Sequence, residues 1–467
     1  MQTRTIITTL ALAWCGLVSA QTVHTLSLEQ AVSLALQNAE ELKNLRLDVA
    51  IQELNNKEIT GTVYPQISAS GQGSYYTNLP LIQFPSSNFP IYEVLQDLGV
   101  KDGNGNPVST SDATTTSQAI SFVAPLNFQY GITVNQLIFQ PDIFIALQAK
   151  ETILQYNRDN LSVSENNVKE AVQKAYYSVL IAEEQKRILD ETAVRLDQLI
   201  AEMNQMYKSG FVEKLDIDKL TVSQNNTTAA INQLVNSINI SKSLLKNAVG
   251  LPINDELNLT EKLETQDLKA LLLANTDDFN YENRSEIVLL NTARQLQEID
   301  VKRQKAAKLP TVSAFYQLQR FGQRNPDFAP PGGSPWFWYT TGLLGLSVQQ
   351  PIFDGLQTKH RTGQAQLKLL KVDNSLSQLK RAIDLEQNIA KNSLSNALLN
   401  LDVQESNTEL AREVFETTKK KYEAGVGSSL ELIQADTELQ RAQGAYFQAL
   451  YDCYIARIAL NKSLGKL

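Results

Sequence analysis

The side chains able to do covalent or metal chemistry are few. Two histidines, His24 and His360, and two cysteines, Cys15 and Cys453, are all that 467 residues supply. That is too little for a zinc site, a disulfide framework or a Cys–His dyad. Paired acids converging on a nucleophile are also lacking, so no catalytic residue, cofactor or metal site is assigned, and both histidines read as solvated. What recurs at fixed spacing is chemistry of another kind. Tyr207 and Gly210, followed by Leu215 and Asp216, return as Tyr422 and Gly425, followed by Leu430 and Glu431. A glycine three residues after a tyrosine suits a left-handed helix stop, and an acid just beyond suits the positive end of the next helix. Ser428 and Ser429 are natural caps for that second helix. A separate cluster, Trp336, Phe337, Trp338 and Tyr339, reads at a strand end as an interfacial aromatic belt.

The composition agrees with a protein that does no chemistry of its own. A net charge of -8 without a dense Lys/Arg patch argues against a nucleic-acid partner. With 43% hydrophobic and 20% charged residues, the chain is neither a disordered tail nor a multi-span helical membrane protein. Residues 1–20 read as a secretory signal peptide: Arg4, an apolar run from Ile6 to Val18, then Val18, Ser19 and Ala20 before Gln21. Cleavage there removes Cys15 and leaves Cys453 alone; lipid attachment at Cys15 is the alternative, with the bulky Trp14 against it. Beyond the signal no segment has 18 consecutive apolar residues, so an exported chain of this kind enters a membrane only as a closed β-barrel.

Four segments alternate with a period of two. They are expected as strands over roughly 62–78, 118–139, 309–321 and 336–353. Val63, Ile67 and Ala69 oppose Gln66, Ser68 and Ser70; Phe122 through Val134 oppose Asn127, Gln129, Thr133 and Asn135. Runs of this length, with uncharged polar residues on the second face, fit a barrel wall between lipid and water. The rest is helical. From Val168 the seam Val172, Ala175, Val179, Ala182, Leu189, Ala193, Leu196, Ile200 and Met203 alternates steps of four and three, broken only by Lys186, as in a coiled coil. Ile383, Ala390, Leu394, Ala397 and Leu401 repeat it, interrupted by Gln387. The stretches 142–207 and 356–422 contain no proline, and each is expected as a helix of roughly 100 Å.

The chain also repeats itself. Gly131 to Phe139 matches Gly345 to Phe353 at Gly131, Val134, Gln136, Ile138 and Phe139. The hairpin register continues to Gly250 and Gly465, and Pro65 to Ala69 matches Pro310 to Ala314. The expected organisation is a first repeat over 21–254 with its hairpin tip near 207–216, a connection over 255–282, and a second repeat over 283–467 with its tip near 422–431. Each repeat is helix, strand, loop, strand, long helix, tight turn, long helix. The first repeat carries a longer loop, 79–117, rich in Gly, Pro, Ser and Thr. Four strands cannot close a barrel, so the chain must associate with copies of itself.

In this order of elements the chain resembles the TolC-like outer membrane factors, the exit ducts of tripartite efflux pumps and type I secretion systems. The resemblance rests on Leu28 to Ala35, the paired Tyr-x-x-Gly turns and the Gln-x-Ile-Phe strand exits, and it covers essentially the whole mature chain. It implies an α+β membrane protein: a homotrimer pooling four strands per chain into a 12-stranded outer-membrane barrel, with long coiled-coil hairpins forming a periplasmic α-barrel. The resemblance also implies partners, a periplasmic adaptor (membrane fusion) protein at the tips around Tyr207, Gly210, Tyr422 and Gly425, and an inner-membrane pump. It places candidate constriction acids at Glu431 and Asp216. This chain departs from the pattern at Gln434, where a second acid would stand, and at Gly427, where an arginine would stand, so a single ring of Glu431 is expected. The competing reading is a periplasmic coiled-coil scaffold or adaptor that never inserts.

Overall fold

The computed structural model describes residues 23–84, 91–108, 118–263, 279–325 and 335–467. The expected signal peptide with Cys15 lies outside the described residues, as do parts of the 79–117 loop and of the 255–282 connection. The first elements are β1 (Val23–Leu26), α1 (Leu28–Asn38), α2 (Glu40–Gly61), β2 (Gln66–Tyr75), β3 (Ile82–Phe84), α3 (Ile91–Asp97), β4 (Gln118–Ile120) and β5 (Leu126–Phe139). They are followed by α4 (Pro141–Lys208), α5 (Lys214–Val249), β6 (Glu256–Leu259), α6 (Ser285–Ala306), β7 (Thr311–Arg324), β8 (Phe337–Gln349), α7 (Gln357–Glu423) and α8 (Ser429–Ser463). α2 and α6 are each 22 residues long, α4 has 68 and α7 has 67.

Contacts divide the chain into two compact units, and the division cuts across the repeats. One unit takes 55–148 and 302–362; the other takes the segments up to 54, 149–301 and 363–467. Each unit thus draws corresponding pieces from both halves, because like elements of a duplicated chain bury like faces.

The first unit holds the main sheet, in the order β2-β5-β7-β8 with every pair antiparallel. The β5–β7 pairing joins the two repeats. The alternation expected over 118–139 is divided: β4 ends at Ile120 and β5 starts at Leu126, just after Pro125. Proline has no N–H to give a ladder. β4 instead pairs with β3 in a separate two-stranded ribbon. At the start of the expected 62–78 strand, α2 runs on to Gly61 and a turn fills the space before Gln66.

The second unit is built on the long hairpins α4/α5 and α7/α8. One core cluster gathers Ala31 and Ala35 from α1, Val172, Tyr176 and Val179 from α4, Leu245 and Val249 from α5, Leu394 from α7 and Leu450 from α8. A second, nearer the tips, joins Leu196, Met203, Leu220, Phe415, Tyr422 and Leu432. The buried stripe of α4 is wider than a two-stranded seam. Tyr176, Leu180, Ile181 and Leu199 are buried beside Val172, Val179, Leu196 and Met203, because α4 packs against several neighbours at once. β1 and β6 pair in parallel beside this core. There His24 is not simply solvated: its Nε2 lies 3.0 Å from Asp255 Oδ2. His360 is exposed.

The duplication extends to single contacts. Gly250 ends α5 at φ 77, and a Cβ on it would fall 2.8 Å from Asn38 Cβ. Gly465 follows α8 at φ 69, and a Cβ there would fall 2.7 Å from the Asn283 carbonyl oxygen. Asn38 ends α1 just before α2, and Asn283 stands at the equivalent place before α6. Left-handed backbone and a close approach both demand glycine. Gly250→Ala is expected to cost about 2 kcal/mol or more, the left-handed penalty plus crowding against Asn38. Thermal unfolding followed by helical circular dichroism measures it; an unchanged midpoint would show that Asn38 yields freely.

Candidate functional site

The two hairpin tips close with the same backbone turn. Gly210 at φ 82 donates its N–H to the Tyr207 carbonyl at 2.9 Å, and Phe211 donates to Met206 at 2.9 Å. Gly425 at φ 76 donates to Tyr422 at 2.9 Å, and Val426 donates to Lys421 at 3.0 Å. Both turns leave their apolar residue in solvent, with Phe211 and Val426 each 78% exposed. Their helix starts differ. Ser428 accepts a bond from the Leu430 N–H and caps α8, whereas Glu213 makes no side-chain cap for α5.

The paired tyrosines also part company. Tyr207 is exposed; Tyr422 is buried in the tip core, and its hydroxyl has no hydrogen-bond partner. Burial, reinforced by the nearby Asp216 charge, pushes the Tyr422 phenol above its ordinary value. Asp216 is half-buried and accepts a hydrogen bond from the buried Ser429 hydroxyl, with Lys219 3.6 Å away. It therefore ties the start of α5 to the start of α8. Glu431 is exposed in the first turn of α8, and Gln434 is exposed one turn further on. The structure thus brings Tyr422, Asp216 and Ser429 together and leaves Tyr207 and Glu431 outside that contact.

Sequence reasoning missed an ion pair deeper between the hairpins. Arg195 on α4 lies 3.0 Å from Asp436 on α8, which also accepts a 2.6 Å bond from Gln440, and the guanidinium stacks over Phe415 at 4.8 Å. A charged residue within an apolar α8 stripe was the available signal, but its partner lies 241 positions away.

In the sheet unit the register sorts the faces. Ile67, Val134, Tyr316 and Leu344 lie in one row across the four strands, and Ala69, Ile132, Leu318 and Gly342 form the next. Ser70, Gly131, Gln319 and Thr341 form a row of the opposite face, as do Ser68, Thr133, Gln317 and Leu343. Trp338 stands on the apolar face, with its ring 6.1 Å from Tyr130, 6.2 Å from Phe128 and 5.6 Å from Trp336. Tyr339, the next residue, points to the other face and stacks on Phe321 at 5.2 Å. Neighbours in a strand cannot share a face, so the aromatic cluster is Trp336, Trp338, Tyr130 and Phe128 without Tyr339. Among the described residues, no group of three or more His, Cys, Asp or Glu is arranged to hold a metal, and no helix is long and apolar enough to cross a membrane.

Known proteins share this arrangement. The family described as outer membrane efflux protein matches residues 282–466. That span is the second repeat. Over 342 residues the chain is 18% identical to the outer membrane protein TolC of Vibrio cholerae, covering 72% of this chain and 76% of that one. Solved structures extend the likeness in fold. CusC, described in terms of folding and transmembrane channel formation, superposes with a TM-score of 0.69 at 14% identity, over 94% of this chain and 91% of its own. The outer membrane channel CmeC of Campylobacter jejuni gives 0.68 at 15% identity, over 94% and 85%. That likeness in fold spans both repeats, and the two solved structures are described as channels.

The Arg195–Asp436 pair offers a clean test of what holds the hairpins together. Asp436→Leu leaves the partly buried Arg195 guanidinium without its carboxylate and is expected to cost about 2 kcal/mol, less than for a fully buried pair. Arg195→Met with Asp436→Leu together should recover most of that loss, since an apolar pair needs no desolvated charge. Denaturant unfolding of both variants decides; a double variant as damaged as the single would assign the loss to packing instead.

Proposed function

We propose that three copies of this chain close one barrel in the outer membrane and serve as the passive exit duct of a tripartite efflux or type I secretion assembly. The observation that carries the proposal is the main sheet. It has one apolar face, one polar face, and two unpaired edges, β2 and β8, that run antiparallel to each other. Joining β8 of one copy to β2 of the next therefore continues an antiparallel ladder without a break. Unpaired edges are too costly in lipid, so closure is obligatory. Two copies would make eight strands, whose interior side chains fill; three make 12 and leave a channel.

The helices support the same count of neighbours. α7 buries Ile383, Ala390, Leu394 and Leu401 within the chain. A second seam of α7, Leu385, Ile389, Leu399, Val403 and Leu410, is exposed, with Asn392, Asn396 and Ser406 filling its four–three steps. A heptad seam left open needs another helix, and in a ring of copies the neighbour supplies it.

The protein belongs to the outer membrane, with its helices in the periplasm. A soluble scaffold leaves the apolar sheet face, with Ile67, Leu344, Leu346 and Val348 more than 60% exposed, without a purpose. The periplasmic tips meet an adaptor protein through the turns at Tyr207, Gly210, Tyr422 and Gly425, where Phe211 and Val426 are the exposed apolar contacts. An inner-membrane pump supplies the energy. At the tips, Glu431 from each copy forms an acidic ring that favours cations, while Asp216 is engaged by Ser429 and serves the joint between hairpins.

Single-particle imaging of protein extracted from outer membranes in mild detergent tests the assembly directly. The expected particle has threefold symmetry and a detergent belt around its strand-bearing end; a belt-free rod would restore the scaffold reading. Glu431→Gln is expected to lower cation selectivity in single-channel recordings, read as a reduced reversal potential under a salt gradient. An unchanged reversal potential would remove Glu431 from the constriction.

A further inference from the structure

The four strands of the main sheet carry two charged residues, Arg320 and Arg324, both on β7. In a wall between lipid and water, charge belongs on the polar face. Both arginines are on the other one. Arg320 shares its row with Gly71, Tyr130 and Thr340, and Arg324 stands opposite Leu126. The polar face is furnished with Gln66, Gln72, Gln129, Gln317 and Gln319, and needs no cation to stay wet.

Their depth is specific. The apolar positions of β7 on this face are Val312, Ala314, Tyr316 and Leu318; Arg320 comes next in the same column. Arg324 follows about 14 Å farther along the strand at the usual rise per residue. This end of β7 leads into the connection to β8, opposite the ends that run into α2, α4, α6 and α7. With the helices in the periplasm, the arginines stand at the outer rim of the lipid-facing band. An arginine at mid-depth would be strongly disfavoured, but at the rim it reaches headgroups.

Arg320 is also held. The Trp338 ring lies across Gly322, where a Cβ would fall 2.7 Å from it, and the Arg320 guanidinium sits 5.3 Å from the ring centroid. Stacking on an indole leaves the guanidinium edge and its N–H fork directed elsewhere, and that fork matches a phosphate. A fixed cation on an aromatic shelf at the edge of an apolar surface recognises an amphiphile that has an anionic head and acyl tails.

We propose that Arg320 and Arg324, with Trp338 as the shelf, bind the phosphate of a phosphorylated glycolipid headgroup in the outer leaflet, one site per chain. The proposal rests on the outer-membrane reading above. The acyl chains lie along Tyr130, Ile132, Leu318 and Leu344, and the headgroup phosphate meets the Arg320 fork, with Arg324 adding its charge farther out in the same column. Such a site would seat the open-edged sheet in its membrane at a defined height.

Native mass spectrometry of the purified protein in neutral maltoside detergent tests this. The probes are bisphosphorylated lipid A, the same lipid with its phosphates removed, and inorganic phosphate as competitor. Wild type is expected to bind the bisphosphorylated lipid at least tenfold more tightly than the dephosphorylated one. The Arg320→Gln/Arg324→Gln variant should lose about tenfold for the phosphorylated lipid and nothing for the other. Arg320→Lys/Arg324→Lys, which keeps the charge and loses the fork, should fall between, and guards against a variant that fails to assemble. Equal affinity for the two lipids, or a double glutamine variant that binds like wild type, would overturn the site. Competition by inorganic phosphate at concentrations equal to the lipid would make it a free-anion site and overturn the lipid assignment. The oligomer mass in the same spectra reports separately on the trimer: phosphate-dependent binding to a single chain would keep the inference and reject the trimer.

Discussion

Everything in this protein follows from backbone groups that a single chain leaves unpaired. β2 and β8 each present a free edge, and each belongs to a sheet with an apolar face. In water such edges invite aggregation; in lipid they forbid insertion. The proposed ring of copies satisfies both, and the antiparallel relation of the two edges would let its ladder continue unbroken. The helices show a parallel feature: α7 buries one seam within its own chain and leaves Leu385, Ile389, Leu399 and Val403 exposed.

Duplication supplies two copies of each main element, and the copies depart from symmetry in the side chains of the hairpin tips. Gly250 against Asn38 and Gly465 against Asn283 show how faithfully contacts are copied. The tips are not copied in this way. Gly427 follows the second turn so closely that a Cβ would crowd the Tyr422 backbone at 2.9 Å, and the buried Tyr422 has an exposed counterpart in Tyr207. Ser429, one residue past its cap, reaches across to Asp216. The joint between hairpins is therefore a hydrogen bond between a hydroxyl and a carboxylate, backed by a phenol whose own hydroxyl is unpaired. That unpaired group is a local weakness in the tip core.

Much of the fold was legible because it is encoded locally. Strand alternation, the absence of proline over 142–207 and 356–422, the turn glycines and the repeat register all depend on residues within a few positions of each other, or on direct comparison of two segments. From these came four strands, two long hairpins and a duplicated order. The candidate acids Asp216 and Glu431 were visible for the same reason, as helix starts after a turn.

What only the tertiary structure decided depends on partners tens to hundreds of positions apart, for which local pattern holds no information. Pro125 diverts β4 into a ribbon with β3, and the period of two places Tyr339 away from Trp338 once the register is known. His24 finds Asp255, Arg195 finds Asp436, and Asp216 finds Ser429 rather than solvent. Sequence alone determined which faces are apolar, since a side chain's polarity is its own property. The structure decided what each face meets, since that is set by the packing of the whole chain and, at the free edges, by packing beyond it.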